Sequence, residues 1–272
     1  MTDRLLATVQ AGVRIFDLGR PMFRGMPQSP NHPQYWHTLP RRHGDVVRAD
    51  GGSAANDLVV SGTHVGTHID ALAHVSHNGC LHGGVDAAVA GVGGGYARHG
   101  VHTIEPMVRR GVLLDVPAVL GTETCPPAYE ITPADLERAA TAHGVAVGRA
   151  DVVLVRSGWG RHFATGGDSY VGRETGVPGV GEAGAQWLAE RQVHAAGADT
   201  IAFERLPPQG GHALLPAHRV LLVEHGIYII EALDLEELAA AAVHEFTLVL
   251  VPLALTGATG SPVRPLAVIA DV

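Results

Sequence analysis

One stretch of eleven residues constrains this chain more than any other: His64-Val-Gly-Thr-His68-Ile-Asp70-Ala-Leu-Ala-His74. His64, His68, Asp70 and His74 all fall on even positions. In extended backbone, alternate side chains share a face, so the four could point the same way while Val65 and Ile69 turn into a core. A helix would also align 64 with 68. Gly62, Gly66 and the threonines at 63 and 67 argue against one. Two imidazoles and a carboxylate form a nitrogen and oxygen donor set that suits Zn or Mn, and three protein ligands leave room for water. Open positions belong to catalytic rather than structural metal sites. The same four side chains could instead line a surface loop. The spacing, and glycines that allow close backbone approach, favour the metal.

Composition removes competing chemistries. The chain has 272 residues, 46% of them hydrophobic and 17% charged, enough to bury a large core. Its formal net charge is -8, and the short basic runs Arg41-Arg42-His43 and Arg109-Arg110 stand isolated, so no nucleic-acid partner is expected. There is no lysine. A Schiff base, a pyridoxal-phosphate anchor and a phosphate-loop lysine are therefore excluded. Cys80 and Cys125 are too few for a disulfide framework or a thiolate zinc site. The start does not resemble a secretory signal, and the apolar run Phe246–Leu255 is too short to span a bilayer. A cytoplasmic protein with no membrane partner is the expectation. The 17 histidines are the informative excess, since imidazole is both the commonest metal ligand and the usual acid–base group near neutral pH.

Along the chain, strands are expected at 13–18, 57–62, 111–116, 151–156, 200–203, 227–230, 246–255 and 266–269. Helices are expected from Thr132-Pro133, over 182–191, over 216–225 with Gly226 as the stop, and over 235–242. The glycine-rich 91–95 lacks the strand–turn–helix setting of a dinucleotide site and reads as a loop. Residues 1–50 read as an irregular N-terminal arm on a single mixed α/β domain covering 1–272. Phe23 and Trp36 in the arm, and Trp159 after a strand, are candidates for substrate binding or simply for packing. His77 and His82 lie beside glycines and read as surface loop.

The histidine stretch resembles the signature of the cyclase family, H-x-G-T-H-x-D-x-x-x-H, at every fixed position. That family includes kynurenine formamidase and isatin hydrolase. Gly111-Val-Leu-Leu-Asp115, Val153-Leu-Val-Arg-Ser-Gly-Trp159, Gly197-Ala-Asp-Thr200, Leu215-Pro-Ala-His218-Arg-Val-Leu-Leu222 and Gly257-Ala-Thr-Gly-Ser-Pro-Val-Arg-Pro265 resemble its longer members. The resemblance implies a swivelling β/β/α fold, a mixed sheet with flanking helices. It implies metal-dependent hydrolysis of a C–N bond in a small amide, aryl formamide or lactam. His64, His68 and Asp70 would bind a first divalent metal, Zn or Mn, with His74 as the catalytic histidine. His218 and Glu231 would bind a second metal or support the first. Leu72, where formamidase-type members have proline, and the long His218-to-Glu231 spacing place the chain with the longer branch. The relatives imply a homodimer or homotetramer. A dehydratase or ring-closing enzyme, or a metal-binding protein without activity, stays open.

Overall fold

The computed structural model describes residues 3–271; Met1, Thr2 and Val272, the ends of the unit expected over 1–272, lie outside the described residues. Its apolar runs assemble one nine-stranded sheet. In spatial order the strands are Val13–Asp17, Leu266–Ala270, Glu245–Leu250, Met107–Asp115, Val152–Arg156, Ala195–Ala198, Tyr228–Glu231, His68–Asp70 and Gly260–Pro262. The four from Met107–Asp115 to Tyr228–Glu231 run parallel, and the pairings outside them are antiparallel. Parallel strands need crossovers, and helices in those crossovers cover the sheet faces. Pro133–Ala142, Glu182–Glu190 and the helical stretch from Pro216 to His225 supply them.

Both faces of the central strands are dry. Val153 and Val155 pack on one side with Leu136, Leu188 and Leu221 of the helices. Val152 and Leu154 pack on the other with Phe16, Leu235 and Leu248. A strand covered on both faces reads as a continuous apolar run, which is how Val152–Arg156 reads. Helix Pro133–Ala142 starts as expected. Thr132 and Asp135 form a reciprocal capping box, with Pro133 in the first turn. The helix from Pro216 begins at its proline, widens to π-type hydrogen bonding over Arg219–His225 and ends at Gly226, in the left-handed region at φ 67.

Several expectations need correction. The strand expected at 200–203 is instead Ala195–Ala198, and residues 199–203 bend away from its end. Small residues are what that slot accepts. A Cβ on Gly197 would meet Leu233 at 2.8 Å and Leu154 at 2.9 Å. The arm is less irregular than its composition suggests. Arg4–Ala11 is helical, capped by Asp3, and Trp36–Arg41 pairs antiparallel with Asn56–Val60. That hairpin stands off the sheet with every residue of both strands exposed. The strand expected to reach Leu255 stops at Leu250. The expected helix over 235–242 shortens to Glu236–Ala240.

Candidate metal centre

The register of two neighbouring strands builds the centre. His68 stands directly opposite Glu231, at the carboxyl end of its strand. On the same strand Asp70 shares a face with His68, and Ile69 between them is fully buried in the core behind. The expected single extended face stops there. Residues 64–67 form a turn, with Gly66 at φ +69, and His74 follows a second turn closed by its own N–H donating to the Ala71 carbonyl at 2.9 Å. His64, His68, Asp70 and His74 therefore meet through folding of the chain back on itself, not through alternation along it. Glycine permits this at 66, because the left-handed conformation costs other residues more.

The ligand atoms of His64, Asp70 and His74 lie within 4.8 Å of one another, and so do those of His68, Asp70 and Glu231. Asp70 belongs to both groups. His218 closes the second, its Nε2 lying 3.2 Å from Glu231 Oε1 and 3.6 Å from Asp70 Oδ2. Each of the three buried imidazoles has one nitrogen engaged outside the centre. His68 Nδ1 donates to the Gly66 carbonyl at 2.8 Å, which leaves Nε2 facing Asp70 at 3.5 Å and Glu231 at 3.4 Å. His64 Nε2 meets the Thr259 hydroxyl at 2.9 Å, and its Nδ1 lies 2.7 Å from Asp70 Oδ1. His218 Nδ1 lies 2.5 Å from Glu204 Oε1. Fixing one imidazole nitrogen from outside sets the ring's orientation and aims the other inward.

Charge at the centre is unbalanced toward the negative. Burial works against the charged form of Asp70, yet His74, His218 and His64 hold its carboxyl well below the usual range. Glu231 is likewise opposed by burial and held at about 2 by His218 and His68. Burial would push His68 and His218 down. The surrounding carboxylates push both up, His218 well above its ordinary value. His74, partly exposed to the cavity, moves down, to about 4, because burial dominates. Buried carboxylates that draw protons onto their histidines form a natural cradle for a divalent cation, which takes the place of those protons. One buried atom shows the fit most directly: Asp70 Oδ2 has no hydrogen-bond partner among the described residues. An orphaned buried carboxylate oxygen is costly unless something cationic meets it.

A cavity of about 180 Å³ opens beside the centre. His64, His68, His74, His218 and Glu231 line it, facing Asn31 and His32 of the arm, Tyr170 and His212. The His32 ring stacks on His64 with centroids 5.3 Å apart, and His64 stacks on His74 at 3.8 Å. The three aromatic candidates lie elsewhere. Trp159 is 5% exposed, and its Nε1 donates to the Tyr170 carbonyl at 2.9 Å. It lines a separate cavity with Cys125 and His162. Phe23 meets Phe163 edge-on, and Trp36 lies under the Arg24 guanidinium, 4.3 Å away on the exposed hairpin. His77 is exposed, as its glycine-flanked setting implied, whereas the His82 ring packs inward against the Val223 carbonyl at 2.9 Å. Thr259 lies in the Gly257–Pro265 stretch that resembles the longer family members, whereas Glu204, His32 and His212 carry no local motif and only the fold brings them to the centre.

A mixed sheet with a buried His/carboxylate centre at the carboxyl end of its parallel strands, beside a small cavity, defines an α/β protein of the cyclase fold. Residues 16–205 match the Cyclase family, and the chain belongs to it. A crystal structure described as a novel cyclase is 28% identical, with a TM-score of 0.84 over 98% of this chain and 93% of that one. Isatin hydrolase A from Ralstonia solanacearum is 24% identical, with a TM-score of 0.74 over 98% of this chain and 96% of its own. A Bacillus stearothermophilus protein described as a "predicted metal-dependent hydrolase" is 24% identical, with a TM-score of 0.61 over 94% of this chain and 98% of its own. No curated protein matches. Among the described residues no helix is long and apolar enough to cross a membrane.

Proposed function

We propose that this protein is a metal-dependent hydrolase that cleaves a C–N bond in a small amide, aryl formamide or lactam with activated water. One observation carries this: buried Asp70 faces His64 and His68 through Oδ1, while its Oδ2, with no hydrogen-bond partner among the described residues, lies 3.6 Å from His218 Nε2. His64, His68 and Asp70 would hold a first Zn or Mn ion, and Asp70, His218 and Glu231 a second, with His68 Nε2 lying between the two sets, 3.5 Å from Asp70 and 3.4 Å from Glu231. Bound there, a divalent cation lowers the pKa of water from about 15.7 toward 7 and polarises a carbonyl oxygen. Family membership and the isatin hydrolase name carried by a fold neighbour support hydrolysis as the reaction type.

The chain's own residues divide the remaining work. His74, with its pKa drawn down to about 4, is neutral at pH 7 and free to take the proton that water gives up on adding to the carbonyl. The same imidazole returns that proton to the departing nitrogen, which would otherwise leave as a poor amide anion. Asn31, His32 and His212 face the reacting centre across the cavity, which is small enough to favour a compact substrate. The exposed hairpin, with Trp36, Leu39, Leu58 and Val59 all outward, is a surface for a second copy of the chain. A lone two-stranded ribbon is marginal in water, which supports a homodimer or homotetramer. The test is elemental analysis of purified protein, followed by turnover of aryl formamides, isatin-type lactams and cyclic imides with and without a chelator. Stoichiometric Zn or Mn with chelator-sensitive ring opening or deformylation is expected. A metal-free protein that still turns over the panel would overturn the proposal.

A further inference from the structure

Glu204 is a buried carboxylate to which the proposed reaction assigns no step. It is 1% exposed, and it lies on no strand or helix. Its main chain is nevertheless pinned. Glu204 bridges to Val180, and the Phe203 carbonyl accepts the Val180 N–H at 3.2 Å. Gly179 allows this approach, since a Cβ there would fall 2.3 Å from the Glu204 carbonyl carbon. From this fixed point the carboxylate reaches the first turn of the helix that begins at Pro216. It accepts from the N–H groups of Ala217 and His218, each at 3.2 Å, and pairs with His218 Nδ1 at 2.5 Å. The two backbone donors belong to the first turn of a helix, whose N–H groups have no partner within it.

We infer that Glu204 is a positioning residue that makes His218 a metal ligand, an assignment that rests on the metal-centre reading above. An ionised carboxylate only accepts hydrogen bonds, so the proton between it and the ring belongs to Nδ1. In the neutral imidazole, Nε2 then carries the lone pair. That lone pair faces Glu231 Oε1 at 3.2 Å and Asp70 Oδ2 at 3.6 Å. Three acceptors facing one another without a proton repel, whereas the same three around a divalent cation are its ligands. Glu204 thereby decides which ring nitrogen faces the centre and raises its basicity, as carboxylate partners of metal-bound histidines do. The two backbone bonds hold the helix start so that this geometry does not drift.

The competing account is that Glu204 only caps the helix. A cycle of four full-length proteins separates the two: wild type, Glu204→Gln, His218→Ala and the double variant. Each is stripped with a chelator and titrated with Zn²⁺ alone and with Mn²⁺ alone, and the melting temperature of the stripped protein is read in parallel. Glu204→Gln should weaken the tighter or the weaker of the two ion affinities by about 10–100-fold. In the His218→Ala background the same change should do nothing further to affinity. Unchanged affinity in Glu204→Gln, or losses that add in the double variant, overturn the assignment, and a melting temperature that falls without a change in affinity identifies a cap alone. If Glu204→Gln does not fold, Glu204→Asp, which keeps the charge but is one methylene shorter, enters the same cycle with the same criteria. A wild-type protein that takes up neither ion overturns the metal centre itself, whereas a metal-binding wild type with an additive cycle removes Glu204 alone.

Discussion

At the scale of single residues, the spacing of His64, His68, Asp70 and His74 was legible because it depends on one short segment. Their partners were not. His64 meets Thr259 across 195 positions of sequence, and His218 meets Glu204 across 14 with no motif joining them. A hydrogen bond made by the tertiary fold leaves no periodic trace in the sequence. Of the aromatic candidates, Trp159 donates its indole N–H to the Tyr170 carbonyl, and Tyr170 lines the cavity beside the centre. His74 makes no hydrogen bond to another side chain among the described residues, and its ring lies in the cavity beside His64. Replacing His74 with Asn should therefore leave metal content intact and lower kcat by about 10²–10⁴-fold. In the unaltered protein, with metal supplied in excess so that the centre stays loaded, the neutral imidazole is the working form, so the contribution of His74 to kcat/KM should be lost as pH falls toward about 4. Metal analysis and turnover of His74→Asn on the same preparation check this. Turnover equal to wild type removes His74 from the chemistry.

At the scale of elements, runs of Val, Leu and Ile announced the strands Met107–Asp115, Val152–Arg156 and Tyr228–Glu231, because a strand buried on both faces must be apolar throughout. Ala195–Ala198 did not announce itself. Ala-Ala-Gly-Ala has low strand propensity and takes its conformation from the neighbours that pair with it on both sides. The turn at 64–67 was hidden in the same way, since even spacing fits a strand as well as a turn that brings the same side chains together. Gly66 is the residue on which that turn depends. A Cβ there would lie 3.3 Å from the Met22 side chain, which can give way, so the cost of Gly66→Ala is mainly the left-handed backbone. That cost is about 1–2 kcal/mol. If the turn relaxes to relieve it, His64 leaves Asp70. Gly66→Ala should lower the melting temperature by a few degrees and also weaken metal binding, whereas substituting an exposed glycine that also has a positive φ, such as Gly25 at φ 85, should lower only the former. Equal metal affinity in Gly66→Ala and wild type would show that the turn does not set the ligand geometry.

At the scale of the whole molecule, the centre ties the fold to pH and to metal. His68 and His218 have pKa values raised in the folded chain by Glu231, Asp70 and Glu204, against burial that opposes the charge. A raised histidine adds stability that is complete below the unfolded value of about 6.5 and disappears as pH rises through the folded value. Asp70 and Glu231 work in another window. Their lowered pKa values add stability above the usual carboxylate range, and Glu231 gives it up only as pH falls through about 2. His74 has the reverse sign to the other two histidines, but its depressed pKa matters only below about 6.5. As pH rises above about 6.5, then, through the raised folded values of His68 and His218, the metal-free protein loses the protons that shield its buried carboxylates from one another. A bound divalent cation replaces those protons, and its affinity grows as they leave. Calorimetric melting in that range should show the chelator-stripped protein becoming less stable as pH rises. The Zn- or Mn-loaded protein should change little, so the gap between the two widens with pH. A gap that stays constant as pH rises through that range would mean that protons and metal do not compete for these carboxylates, and that the raised histidines report a network held together by hydrogen bonds alone.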